Sequence, residues 1–363
     1  MFHDYLAGYS VKDSRRALIE LFRVLDTPIA ERDEYLEAEL AQFPYVNGGL
    51  FADESIEIPQ FNAEIRALIL ERASEGFDWK DISPTIFGAV FESTLNPETR
   101  RAGGMHYTSI DNIHKVIDPL FLDDLKAEFQ DICKIAQPKT KRNKLDAFQH
   151  KLATIVCLDP AAGSGNFLTE TYLSLRRLEN QVLKERLDGQ MTLGDEELNP
   201  IQVSIQQFYG IEINDFAVTV AKTALWIAES QMLEETKSIV YGFNQDFLPL
   251  KTYVNITEGN ALRIDWNDVV PKEKLKYIMG NPPFVGARLM DNSQKKDVND
   301  IFDGWKNAGN LDYVCCWYKK TADFTYGTDI QAALVSTNSV TQGESVGNLW
   351  KPLFEKGIQI NFA

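Results

Sequence analysis

The string Asp159-Pro-Ala-Ala-Gly-Ser-Gly-Asn-Phe167 narrows the folds open to this chain more than any other feature. It directly follows an apolar, β-branched run, Thr154-Ile-Val-Cys-Leu158. Two glycines two apart let a backbone turn tightly at a strand end and come close to a ligand, because glycine has no Cβ to collide with. A P-loop would continue with Gly-Lys-Ser/Thr, and nothing of that kind follows. A dinucleotide fingerprint would place a third glycine where Leu168 stands. The string therefore predicts a strand-to-helix turn that presents Asp159, Ala161, Gly163, Gly165, Asn166 and Phe167 to a ligand of another kind.

The rest of the chain from about residue 150 agrees with that reading. Short runs of strand character recur at Phe208-Tyr-Gly-Ile-Glu212, Tyr277-Ile-Met279 and Ala332-Ala-Leu-Val-Ser336. Between them Val218, Ala221, Leu225, Ala228 and Met232 fall on one helical face. Alternation of strand and helix predicts an α/β fold, Rossmann-like, with a mostly parallel sheet covered by helices on both faces. Ile358-Gln-Ile-Asn-Phe362 reads as one more strand, and a chain ending there reads as a piece of a longer protein. Residues 1 to about 105 differ in texture and predict an all-α domain. Leu18, Leu21, Phe22 and Leu25 recur at helical spacing up to Asp26-Thr-Pro28, and Asn62 is placed to cap a second helix. A third apolar segment runs from Ile86 to Leu95.

Two further motifs carry chemistry. In Gly210-Ile-Glu-Ile213 an acidic residue ends a strand, where an α/β nucleotide-binding fold accepts two hydrogen bonds from ribose hydroxyls. Glu212 lies 49 residues after Gly163 instead of the usual spacing of about 20, so the polar stretch 176–204 reads as an insertion or an extended helix. In Asn281-Pro-Pro-Phe284, Pro282 and Pro283 stiffen the backbone just after a strand. That geometry aims two acceptors, the Asn281 amide oxygen and the Pro282 carbonyl, at one spot. The pair suits an exocyclic amino group, and Phe284 offers a flat face for stacking.

Charge and cysteine usage exclude several classes. A net charge of −16, from 37 Lys and Arg against 53 Asp and Glu, argues against a chain that wraps nucleic acid by charge alone. The densest basic run, Lys139-Thr-Lys-Arg-Asn-Lys144, reads as a solvated loop. Four cysteines form no C-x-x-C pair and four histidines are scattered, which gives no basis for a metal site or a disulfide framework. Sparse thiols fit a reducing cytoplasm, and no run is long enough to cross a membrane.

Taken together these residues resemble the S-adenosylmethionine-dependent amino methyltransferases that act on N6 of DNA adenine. Gly103-Gly-Met-His-Tyr-Thr-Ser109 resembles the cofactor-contacting segment that precedes the glycine-rich motif in their γ-ordered subgroup. The wider pattern is similar to the MmeI-like single-chain Type II restriction–modification enzymes. It includes Phe43-Pro-Tyr-Val-Asn-Gly-Gly-Leu-Phe51, Gly88-Ala-Val-Phe-Glu92, Gly259-Asn-Ala-Leu-Arg-Ile-Asp-Trp266 and Asn338-Ser-Val-Thr-Gln-Gly-Glu344.

The resemblance implies a helical spacer domain over 1–102 and a methyltransferase domain over 103–363. It implies S-adenosyl-L-methionine as cofactor, with Glu212 and Ile213 at its ribose, Asn260 and Ala261 at its adenine, and Tyr107 and Thr108 at its methionine end. Asn281, Pro282, Pro283 and Phe284 would form the catalytic motif. The partner implied is double-stranded DNA, gripped through a recognition domain that this sequence lacks. The family's nuclease also has no counterpart here. The same Asn-Pro-Pro-aromatic chemistry serves methyltransferases acting on a protein glutamine or an RNA base, and a non-catalytic cofactor-binding scaffold is a third reading.

Overall fold

The computed structural model describes residues 1–46, 51, 57–76, 82–94, 108–187, 200–240, 255–343 and 345–363. The chain divides into two compact units, one built on Met1–Ser83 and one beginning at Pro84. The boundary expected at 102/103 lies outside the described residues.

The first unit is helical among its described residues. It contains α1 (Phe2–Ala7), α2 (Ser14–Asp26) and α3 (Ala63–Ala67), the last continuing through a π-helical stretch, Leu68–Glu75. Leu18 and Leu21 of α2 pack with Tyr5, Leu6, Leu40, Phe43 and Leu70 in one cluster, with Phe22 and Leu25 at its margin. The helix stops at Asp26 because Thr27, preceding a proline, is extended. Asn62 caps α3 as its sequence position implies, its Oδ1 accepting the Ile65 N–H at 2.7 Å.

The second unit is built on five parallel strands: β1 (Cys157–Asp159), β2 (Phe208–Glu212), β3 (Asn255–Glu258), β4 (Tyr277–Gly280) and β5 (Gln331–Leu334). Their order is β3-β2-β1-β4-β5, and each neighbouring pair is parallel. The longer helices are α4 (Pro84–Thr94), α5 (Ile110–Ile117), α6 (Asp123–Cys133), α7 (Pro138–Ala153), α8 (Asn166–Leu187), α9 (Asp215–Ile239), α10 (Asn292–Ile301) and α11 (Cys315–Thr325). Helix α8 joins β1 to β2 and α9 follows β2, whereas α11 lies between β4 and β5. Right-handed crossovers then put α8 and α9 on one face and α11 on the other. The order reverses at β1, so the loops leaving β1 and β4 diverge and open a crevice at the carboxyl ends of the strands.

Val218, Ala221, Leu225, Ala228 and Met232 are all buried along α9, as their spacing predicts. Helix α8 is buried for most of its length and carries an ion pair, Arg176 with Glu179. That pair is tolerated because Thr236 Oγ1 takes the Arg176 guanidinium, and the Gln149 side chain and the Gln202 N–H donate to Glu179. The polar stretch after Arg176 is extended helix as far as Leu187; residues 188–199 lie outside the described residues.

Two expectations need correction, and one strand escaped the sequence reading. Lys139–Lys144 is not a loop but the opening of α7, with Pro138 at its first position and Lys141 bonded to Glu185 at 2.6 Å. Lysine and arginine are good helix formers, and proline at the first position suits the helical φ. Ile358–Phe362 pairs with no strand and is largely exposed, despite its alternation. Strand β3 carries too little apolar character to stand out in the sequence; it occupies the sheet edge and is only partly buried. Among the described residues no helix is long and apolar enough to cross a membrane.

Candidate active site

The glycine turn is hung on Glu212. Gly163 and Gly165 both adopt positive φ, +53° and +80°, a region closed to most side chains. Glu212 Oε2 accepts the Gly163 N–H at 2.9 Å and Oε1 accepts the Asn214 N–H at 2.9 Å. The turn is also tied by Ala162 N–H to the Ile211 carbonyl and by Gly165 N–H to the Ala162 carbonyl. A Cβ on Gly165 would lie 2.9 Å from Ala221 Cβ, so glycine there lets the turn pack directly on α9. At Gly163 a Cβ would meet nothing within 4 Å, which leaves that face of the turn open. Gly88 of α4 packs from another side, where a Cβ would strike Ser164 Oγ at 2.6 Å.

Glu212 is only 8% exposed, and burial raises its carboxyl above the ordinary range. Two carboxylate oxygens offer about four acceptor positions; the Gly163 and Asn214 N–H groups take two, and the Ile213 N–H also faces the carboxylate. What remains can accept from a ligand hydroxyl. Ile213, next in the chain, is 60% exposed and presents an apolar surface beside this carboxylate.

At the end of β1, Asp159 is buried and its carboxyl is pushed up to about 8, chiefly by that burial. Its Oδ1 accepts the Ala161 N–H at 2.9 Å, which bends the chain into the turn. Gly280, the last residue of β4, faces that same carboxylate: a Cβ there would lie 2.3 Å from Asp159 Oδ1. Only glycine lets β1 and β4 carry their two motifs side by side.

Directly after Gly280 comes the Asn-Pro-Pro-Phe string. Asn281 Nδ2 donates to Thr108 Oγ1 at 3.1 Å, and Thr108 is itself buried. This bond fixes the amide and turns its oxygen the other way. Asn281 Oδ1 is buried and has no hydrogen-bond partner among the described residues. A buried unpaired acceptor costs about 1–3 kcal/mol, which makes it a pointer to an absent donor. Pro282 is buried, while Pro283 and Phe284 are half-buried.

The turn after β3 is held by side chains that no motif announces. Lys320 of α11 donates to the carbonyls of Ala261, Leu262 and Ile264 at 2.7, 3.0 and 2.6 Å. Burial pulls its ammonium down to about 8, offset in part by the charge of Asp265. Trp317, one turn earlier, donates from Nε1 to the Pro160 carbonyl at 3.0 Å. Asn260 Oδ1 accepts the Leu262 N–H at 2.9 Å, and Asn260 Nδ2 donates to Asp297 at 3.0 Å.

The structure thus gathers Asp159, Ala161, Gly163, Gly165, Glu212 and Asn281 at the carboxyl ends of β1, β2 and β4. Asn260 and Ala261 lie at the end of β3, the neighbour of β2. Asn166 and Phe167 are buried at the start of α8, where Asn166 Oδ1 accepts from Ser164 at 3.4 Å. Tyr107 lies outside the described residues. Gly280, Asp297, Trp317 and Lys320 were missed; the glycine beside Asn281 was the one local signal available.

Comparison with known proteins bears on the family and the fold. The family described as MmeI, DNA-methyltransferase domain, matches residues 135–363, and the MmeI helicase spacer domain matches residues 1–51. DNA methyltransferase A of Bacillus subtilis (strain 168) is 44% identical over 346 residues, covering 95% of this chain and 38% of that protein. The Type IIL restriction–modification enzyme MmeI, solved in complex with DNA, superposes with a TM-score of 0.89 at 42% identity. That alignment covers 99% of this chain and 47% of the MmeI chain. The chain spans less than half the length of either relative. With the family's methyltransferase domain matching well over half of its residues, the chain belongs to the MmeI family of DNA methyltransferase and restriction–modification proteins.

Proposed function

We propose that this chain transfers the methyl group of S-adenosyl-L-methionine to N6 of an adenine flipped out of double-stranded DNA, as part of a restriction–modification enzyme. The observation that carries the reading is the buried, partnerless Asn281 Oδ1 beside an open glycine turn. When bound, the cofactor supplies a methyl group made electrophilic by its sulfonium. Glu212 would accept ribose hydroxyls with the oxygen positions its backbone bonds leave. Ile213 would cover the sugar-base face, Asn260 and Ala261 would hold the adenine, and Thr108 would serve the methionine end.

A base inside a duplex cannot reach this crevice, so the target must leave the stack. Phe284 stacks on it, a contribution of about 1–3 kcal/mol against the cost of unstacking. Adenine N6 is a weak nucleophile because its lone pair is delocalised into the ring. Asn281 Oδ1 and the Pro282 carbonyl each accept one N6 hydrogen, which favours a pyramidal nitrogen and stabilises the charge developing there. Thr108 keeps the Asn281 amide in that orientation. Once it has accepted the methyl group, the nitrogen held by Asn281 and the Pro282 carbonyl would shed a proton to solvent. No side-chain base is needed beforehand. The acidic charge of the chain leaves most of the grip on DNA to a recognition domain of the longer protein, and cleavage to a nuclease domain there.

The test is labelled-methyl transfer to duplex DNA by the natural full-length protein, paired with calorimetry. Asn281→Ala is expected to abolish turnover with cofactor affinity nearly unchanged. Near wild-type methylation by that variant, or label passing to a protein glutamine and not to DNA, overturns the proposal.

A further inference from the structure

Both halves of the Asn260 amide are committed. Nδ2 donates to Asp297 Oδ2 at 3.0 Å and Oδ1 accepts the Leu262 N–H at 2.9 Å. Turning the amide over would set oxygen against a carboxylate oxygen and an NH2 group against an N–H. Each neighbour forbids the flip.

Asp297 is 2% exposed and sits on α10 with three donors around it. Besides Asn260, Arg263 Nε donates at 2.7 Å and the Tyr313 hydroxyl at 2.8 Å. Burial, then the bond to Asp297, raise the Tyr313 phenol, so it remains a donor. Arg263 is braced from its other side by Ser293 Oγ at 2.7 Å. A carboxylate has acceptors only, so Asp297 can draw nothing but the NH2 group of Asn260 toward itself. The amide oxygen has two lone pairs, and Leu262 uses one. With Lys320 pinning the backbone of the same turn, the second lone pair is held in a fixed place at the end of β3.

Resting on the adenine seat proposed above, the geometry points to Asp297 as a specificity-determining positioning residue: it locks Asn260 Oδ1 as an acceptor for the 6-amino group of the cofactor's purine and so rejects a 6-oxo purine. An oxo group would meet Oδ1 as one acceptor against another. Asp297 touches no part of the cofactor and acts only through Asn260.

The experiment is calorimetry of the full-length protein with S-adenosylhomocysteine and with S-inosylhomocysteine. The wild type should prefer the amino compound by about tenfold or more, the scale of one unmet buried hydrogen bond. In Asp297→Asn, the new amide keeps its oxygen on Arg263 and turns its NH2 group toward Asn260. The Asn260 amide then has a donor on each side, the new NH2 group and the Leu262 N–H, so Oδ1 is no longer held in one place and the preference should fall to about threefold or less. The exchange Asn260→Asp with Asp297→Asn should restore the preference, because a carboxylate at position 260 then faces the purine and the amide at position 297 donates to it. A loss of packing alone would weaken both ligands equally and would not be repaired by the exchange. An unchanged preference in folded Asp297→Asn, or no recovery in the exchange, overturns the inference. If the single variant does not fold, the folded exchange variant decides alone, by keeping the preference or losing it. A wild type that binds both ligands equally also overturns it. A wild type that binds neither strikes instead at the cofactor reading itself.

Discussion

Replacing Glu212 with alanine removes the group that holds the glycine turn. Its carboxylate accepts two backbone N–H bonds of 2.9 Å, from Gly163 and Asn214. Hydrogen bonds to a charged partner contribute about 1.5–3 kcal/mol each. Burial already disfavours the charged form of Glu212, so the lower end of that range applies to each bond. The expected loss of folding stability is therefore about 3 kcal/mol. Loss of the proposed ribose contact should cost a further 1.5–3 kcal/mol or so of binding, a rise of roughly 10- to 150-fold in Kd. Glu212→Gln separates the two effects, since its amide oxygen still serves one N–H while its NH2 group faces the other. Its stability should fall between wild type and alanine. Titration calorimetry with S-adenosyl-L-methionine, run beside chemical denaturation, reads both quantities. A Glu212→Ala protein that stays folded and binds with unchanged affinity would refute the reasoning.

Gly280→Ala should destabilise the protein by about 1–3 kcal/mol of overpacking, because β4 is bonded to strands on both sides and cannot retreat from the Asp159 carboxylate; an unaltered unfolding transition with unaltered cofactor binding would contradict the contact. Asp159 predicts a pH dependence: its carboxyl is raised from 3.8 to about 8 in the folded protein, so its contribution to stability is complete below pH 3.8 and is lost as pH rises through about 8. Between those limits stability should fall by about 1.4 kcal/mol per pH unit from this group; Asp159→Asn should flatten the slope in denaturation curves taken from pH 5 to 8, and identical slopes would rule the assignment out.

What the sequence disclosed and what it hid divide along physical lines. Asp159–Phe167 and Asn281–Phe284 were legible because backbone approach to a ligand demands glycine and rigid strand ends demand proline. Those demands act on consecutive residues. Asp297 and Lys320 act across long intervals on the carbonyls and amide of a turn they do not adjoin, and neither residue type carries a local signature. Strand β3 escaped because Asn-Ile-Thr-Glu at a half-buried edge needs only one apolar side chain. Ile358–Phe362 misled for the opposite reason: alternation describes the faces a strand would have, whereas a strand also requires a neighbour to bond with. The run Lys139–Lys144 shows that charge density says little about helicity when Pro138 and a buried apolar stripe, Leu145, Phe148 and Leu152, are there to organise it.

Helix α11 has a consequence for how the chain is made. Trp317 and Lys320, one helical turn apart, fasten two loops that were synthesised 157 and 56–59 residues earlier. A nascent chain emerges amino-terminus first, so the loops after β1 and β3 leave the ribosome long before their fasteners exist. Neither half of the crevice can be completed until α11 has itself emerged. A ligand stabilises only a state able to bind it. A ligand of that crevice therefore cannot assist the folding of the residues that precede this helix. It can act only as a late lock, closing on a sheet whose earlier strands must already stand by their own packing.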